Sequence, residues 1–203
     1  MVNNSEQIVK LLNFRTKDDF YFIQILKRKK EHPELGSNSH VVKTYYIKSI
    51  DDFDFHFPEM KCLADFHNAR VCINLNRRSF EKMAFHTMRK VADQIMNKDF
   101  KSVRAAYNSV CGEYSQETDK IWIIDLDGED TKKLTEISNF IRYLKPFDFI
   151  NFNTGEIKEK IVATLSTKNG LHLLTHPFDV QEFKKKYSDI EIHKNNPTII
   201  YIP

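Results

Sequence analysis

The stretch Ile121-Trp122-Ile123-Ile124-Asp125-Leu126-Asp127-Gly128 constrains this chain more than any other. Apolar, partly β-branched residues specify a buried strand. Two carboxylates arrive one residue apart near its carboxyl end, and a glycine closes the run. Side chains alternate along a strand, so Asp125 and Asp127 share one face, about 7 Å apart. Two like charges at the end of an apolar strand are costly unless a cation or hydrogen bonds offset them. The pair is thus either a ligand set for divalent ions or the start of an acidic, solvated turn that Glu129 and Asp130 continue.

Composition narrows the setting. A chain of 203 residues with 41% apolar and 29% charged residues has the balance of a globular protein with material for a core. A formal charge of +3 is too small by itself to mark a nucleic-acid binder. Cys62, Cys72 and Cys111 are odd in number and widely spaced, which argues against a disulfide framework and for a reducing compartment. The cysteines read as buried structural thiols. The amino terminus carries no signal-peptide pattern, and no apolar run reaches membrane-spanning length, so a cytoplasmic protein with no membrane partner is expected.

The chain reads as one domain, 1–203, made of an N-terminal α/β module (1–115) and a second module (116–203), with the polar stretch 115–119 between them. In the first module, strands over 20–26 and 41–47 form a long hairpin. A helix opens at Pro58, and a strand covers 70–76. Ser79 caps a helix whose apolar stripe is Phe80, Met83, Ala84, Met88, Val91 and Ile95. Arg77 and Arg78 precede that helix, either as its flank or as template contacts.

The second module is read as a unit. The acidic strand is followed by a helix capped by Asp130, with Leu134, Ile137, Ile141 and Leu144 on its inner face. Strands over 161–165 and 171–175 flank the turn Ser166-Thr167-Lys168-Asn169-Gly170, a hairpin signal through its Asn-Gly step. Asp179 and Glu182 make a capping box for a further helix, and 189–193 forms a last strand. The order strand, helix, strand, strand, helix, strand predicts a ferredoxin-like, RNA-recognition-type (RRM-like) βαββαβ arrangement within an α+β chain. The first strand then lies between the third and the fourth. Alternation gathers Asp125, Asp127, His172 and the acids of 189–193 on the face turned away from the helices. Carboxylates and an imidazole so placed suit phosphoryl transfer with Mg²⁺ or Mn²⁺.

Three segments resemble the motifs of the archaeo-eukaryotic primase superfamily, which includes the primase-polymerases of plasmids and phages. They are Ile-Ile-Asp125-Leu-Asp127, Ser166-Thr-Lys-Asn-Gly170-Leu-His172 and Ile190-Glu191-Ile192-His193, in the family's order. The tail 194–203 looks like the β-hairpin that follows the third motif. Val71-Cys-Ile-Asn-Leu-Asn-Arg-Arg78 is similar to a strand-and-arginine segment of plasmid-type primases. The resemblance covers about residues 70–203.

It implies a DNA primase/polymerase-type nucleotidyltransferase in which Asp125, Asp127 and Glu191 are catalytic and bind Mg²⁺ or Mn²⁺. His172, Ser166, Lys168 and His193 then bind the nucleotide. The implied partners are nucleoside triphosphates, a single-stranded DNA or RNA template, and a separate helicase or replication protein. Departures accompany the match: the third acid is Glu, with Asp189 competing for the role, and the second motif has one Gly where relatives often have two. The rival reading is a non-catalytic RRM-like module for single-stranded nucleic acid, or a replication scaffold. Such a module expects exposed aromatics on its central strands, where this chain carries Asp, Asp and His.

Overall fold

A computed structural model describes residues 1–37, 39–115, 119–128, 130–146 and 159–203. Residues 116–118 of the polar boundary and Glu129 of the acidic turn lie outside the described residues. The architecture is mixed α+β, with two antiparallel sheets and six α-helices among the described residues. Among those residues no helix is long and apolar enough to cross a membrane. The chain forms two units, one of residues 1–118 with 195–203, the other of residues 119–194. The first boundary falls after residue 118, within the polar stretch 115–119 and three residues past the sequence division. The last nine residues differ from the sequence division, because they return to the first unit.

The first unit is built on a five-stranded sheet. Its strands are β1 (Val2–Asn3), β2 (Asp19–Arg28), β3 (Ser39–Ile47), β4 (Arg70–Ser79) and β9 (Thr198–Ile202), in the order β1-β9-β4-β2-β3. The predicted hairpin is β2 with β3, paired from Tyr21–Ile47 to Arg28–Ser39. The C-terminal strand β9 inserts between β1 and β4, pairing Val71 with Tyr201 and Val2 with Ile202. The strand Thr198-Ile-Ile-Tyr-Ile202 is mostly apolar and buried along its whole length.

Helix α1 (Ser5–Leu11) contributes Ile8 to the core. Helix α2 (Ile50–His67) begins eight residues before Pro58, because Ser49 caps it by accepting from the Asp52 amide at 3.0 Å. Pro58 is accommodated inside the helix, and Phe53, Met60 and Ala64 form its buried face. Helix α3 (Phe80–Met96) is capped by Ser79 as predicted, with the Lys82 amide 3.1 Å from the hydroxyl. After a short 3₁₀ turn at Ser102–Ala105, helix α4 (Ala106–Glu113) packs Val110 and Cys111 with Met83, Phe20 and Phe22. All three cysteines are free thiols; Cys72 and Cys111 are buried, while Cys62 is exposed, unlike its sequence reading.

The second unit carries β5 (Trp122–Asp127), α5 (Thr131–Arg142), β6 (Ile161–Ser166), β7 (Gly170–Thr175), α6 (Val180–Lys186) and β8 (Ile192–His193). Asp130 caps α5 by accepting from the Lys132 and Lys133 amides at 2.9 and 3.0 Å. Asp179 caps α6 through the Glu182 amide at 3.1 Å. At the other end of α5, the buried Lys160 ammonium donates to the carbonyls of Ile141, Arg142 and Leu144, which satisfies acceptors a helix terminus leaves over.

The sheet order is β6-β7-β5-β8, so β5 lies between β7 and β8 as the order of elements predicts. One core joins Ile124 and Leu126 of β5 and Leu173 of β7 to Ile137 and Ile141 of α5, Phe183 of α6, and Leu144, Phe178 and Ile190. Trp122 packs at its margin, with the Phe178 ring 5.5 Å away.

Candidate active site

Register and alternation build the site. Along β5, Ile124 and Leu126 enter the core while Asp125 and Asp127 are exposed. The two carboxylates therefore stand on the face opposite the core, as period-two alternation demands. The same face is not open along its whole length, since Ile123, Leu165 and Leu174 are buried.

Asp125 is paired across the sheet with His172 of β7. The imidazole Nε2 lies 3.7 Å from its carboxylate. On the other side, the Asp125 amide donates to the Glu191 carbonyl at 3.2 Å. This hydrogen bond carries the pairing of β5 with β8 one step past Ile124–Ile192. Glu191 is thus level with Asp125, whereas Asp189 lies two residues earlier in the chain, beyond the buried Ile190. The Glu191 carboxylate itself turns toward His193, 3.3 Å from its Nε2.

The site's acids and imidazoles so form two pairs, Asp125–His172 and Glu191–His193. The sequence predicts one cluster of Asp125, Asp127 and Glu191; among the described residues no group of three or more His, Cys, Asp or Glu side chains is gathered to hold a metal ion.

The second motif reaches the acidic strand through Gly170. Gly170 pairs with Asp127 at the end of β5. A Cβ there would fall far inside van der Waals contact with the Leu126 carbonyl oxygen and 2.9 Å from the Gly128 nitrogen. Gly128 has φ +78°, a conformation glycine adopts without strain, and its amide donates to Asn169 at 2.9 Å. Lys168 occupies the three-residue tip between β6 and β7, and Ser166 ends β6. β6 and β7 form the predicted hairpin, but neither Asn169 nor Gly170 takes the positive φ of an Asn-Gly turn; the glycine is required by close approach to β5. The signal was present in the sequence as a lone glycine beside a motif, without its reason.

Arg77 and Arg78, read as possible template contacts, are both buried. Arg77 lies 3.3 Å from the Asp19 carboxylate. Arg78 is fully buried, and its guanidinium donates to the carbonyls of Cys111 and Asn76 and to the Asn195 side chain. Removal from water lowers its pKa to about 10. The structure corrects the template reading: Arg78 ties β4 to α4 and residue 195, Arg77 pairs with Asp19 of β2, and both are buried. Arg78→Ala will accordingly destabilise the protein by about 3 kcal/mol, because buried carbonyls lose their donor and a cavity remains. Urea unfolding of the variant measures it.

Comparisons with models of known protein families, with curated proteins and with solved structures found no match for this chain. The functional reading rests on the geometry above.

Proposed function

We propose that residues 119–194 form a ferredoxin-like module of the primase-polymerase type, a metal-dependent nucleotidyltransferase that joins nucleotides on a single-stranded DNA or RNA template. The observation that carries this reading is the register that sets Asp125 between His172 and Glu191, with Asp127 two residues on and on the same face. The antiparallel order β6-β7-β5-β8, with α5 after β5 and α6 after β7, supports the ferredoxin-like description.

Carboxylate oxygens are the donors that hard divalent ions prefer, so Asp125, Asp127 and Glu191 fit Mg²⁺ or Mn²⁺. A bound ion of this kind supplies charge neutralisation at the phosphates and activation of a 3′-hydroxyl. The remaining work falls to the chain's own side chains. His172 donates to a phosphate oxygen of the incoming nucleoside triphosphate from its place beside Asp125. Lys168, at the tip of the turn facing the end of β5, adds a point charge for the β- and γ-phosphates. Ser166 offers a hydroxyl at the base of the same turn. His193 holds the Glu191 carboxylate in place. Exposed acids repel a polyphosphate without a cation, so nucleotide binding is coupled to the divalent ion.

One observation favours a second reading, a non-catalytic RRM-like or replication scaffold protein: the acids pair with histidines and do not converge as a set of three.

Melting curves separate the two readings. Millimolar Mn²⁺ will raise the melting temperature, since ligands that bind only the folded state stabilise it by mass action. An Asp125→Asn, Asp127→Asn double variant will lose the response. A melting temperature indifferent to Mn²⁺ in the unmutated protein, with and without nucleotide, would remove the enzyme reading.

A further inference from the structure

Helix α3 presents its apolar stripe to solvent. Of the stripe the sequence assigns to the core, Met83 is buried, whereas Met88 and Ile95 are 69% and 49% exposed. Phe85 and Met96 extend the exposed band at 64% and 80%. Toward α4, α3 makes both apolar and polar contacts: Met83 packs with Val110 and Cys111, Lys90 donates to Ser109 at 2.8 Å and pairs with Glu113, and His86 stacks on Tyr114, just past α4, with ring centroids 4.0 Å apart. Phe85, Met88, Ala92 and Ile95 follow one another at intervals of three, four and three residues. This is the spacing of a helix–helix seam.

We infer that α3 is the contact surface of a two-fold homodimer, in which the same stripe of a second copy packs antiparallel against it. Two observations select this occupant. The first is area. At roughly 200 Å² for a fully exposed large side chain, the four exposed residues offer roughly 500 Å² of apolar surface. A standard interface takes about 800 Å² from each partner, about 65% of it apolar in homodimers.

The second is charge. The band from Phe85 to Met96 has its midpoint between Lys90 and Val91, with Arg89 on one side of that midpoint and Asp93 on the other. A two-fold axis level with Val91, half a residue from that midpoint, brings Arg89 of each copy level with Asp93 of the other. This is the self-complementarity an isologous contact requires. A bilayer or nucleic-acid surface would instead call for basic flanks. Here Glu81 and Asp93 accompany Lys82 and Arg89.

Sedimentation of the full chain from micromolar to hundreds of micromolar tests the dimer, with Met88→Glu, Ile95→Glu, Arg89→Asp and the swap Arg89→Asp, Asp93→Arg as variants. The unmutated chain will associate to twice the chain mass. Met88→Glu and Ile95→Glu, at positions already exposed in one copy, will each weaken association at least about tenfold with an unchanged far-ultraviolet spectrum. Arg89→Asp will weaken it, and the swap will restore it. A chain that stays monomeric throughout overturns the inference, whether it is otherwise inert, co-sediments with anionic vesicles or binds single-stranded DNA through α3. A dimer that survives both glutamate variants, or a swap that fails to restore, overturns it equally.

Discussion

If the protein is the proposed nucleotidyltransferase, Asp127→Ala will lower Mn²⁺-dependent nucleotide incorporation by about 10²–10³-fold, the size of loss that follows removal of a charge-stabilising group from a preorganised site. The effect falls on chemistry because Asp127 is exposed at the end of β5, outside the core that Ile124 and Leu126 enter. The folded state will therefore survive the change, and the variant's melting temperature without metal will stay the same or rise as one carboxylate leaves the acidic face. Template binding will be retained or improved, since the removed charge repels phosphate. His172→Ala provides the contrast. It will chiefly raise the apparent KM for nucleotide while kcat falls less, as expected of a group that holds the triphosphate in ground and transition states alike. Steady-state extension kinetics on a primed template read both variants. Equal losses of kcat in the two would contradict the division of roles.

Gly170→Ala will cost about 3 kcal/mol of stability, as much as Arg78→Ala and at the upper end of overpacking costs. The obstruction is backbone, the Leu126 carbonyl and the Gly128 nitrogen, so no side-chain rotation relieves it. At roughly 2–4 °C per kcal/mol for a chain of this size, the melting temperature will fall by about 6–12 °C. Because Gly170 pairs with Asp127, any relief by separation of β7 from β5 also displaces His172 from Asp125. A variant that melts within a degree or two of the unmutated protein would contradict this packing. Calorimetry or fluorescence-monitored melting measures it.

The elements of the second unit were legible because each carries a local physical signature. Asp130 and Asp179 mark helix starts with side chains that accept from amides two or three residues on. Ile137, Ile141 and Leu144 recur at helical spacing and share one core. The alternation Ile124, Asp125, Leu126, Asp127 sets the acids on the face away from that core. What the sequence concealed is non-local. Nothing in Thr198–Ile202 announces that it pairs between β1 and β4, since an apolar strand carries no address for its neighbours. Arg78 reads as a surface residue until β4, α4 and residue 195 enclose it. Pro58 was the louder helix signal, yet Ser49 with Asp52 starts the helix. Periodicity identified the stripe of α3 as apolar, but it does not state whether such a face meets its own core or a second molecule. At the site, register placed Asp125, His172 and Glu191 level with one another. The side-chain rotations that turn Glu191 toward His193 lie beyond what alternation fixes.

The most direct test of the account is extension itself: purified chain, Mn²⁺, nucleoside triphosphates and single-stranded templates with and without a primer. The nucleotidyltransferase reading predicts products longer than the primer, or new short strands, with one pyrophosphate released per nucleotide joined. Mn²⁺-dependent binding of nucleoside triphosphates with no extension on any template would contradict it and leave a binding scaffold in its place.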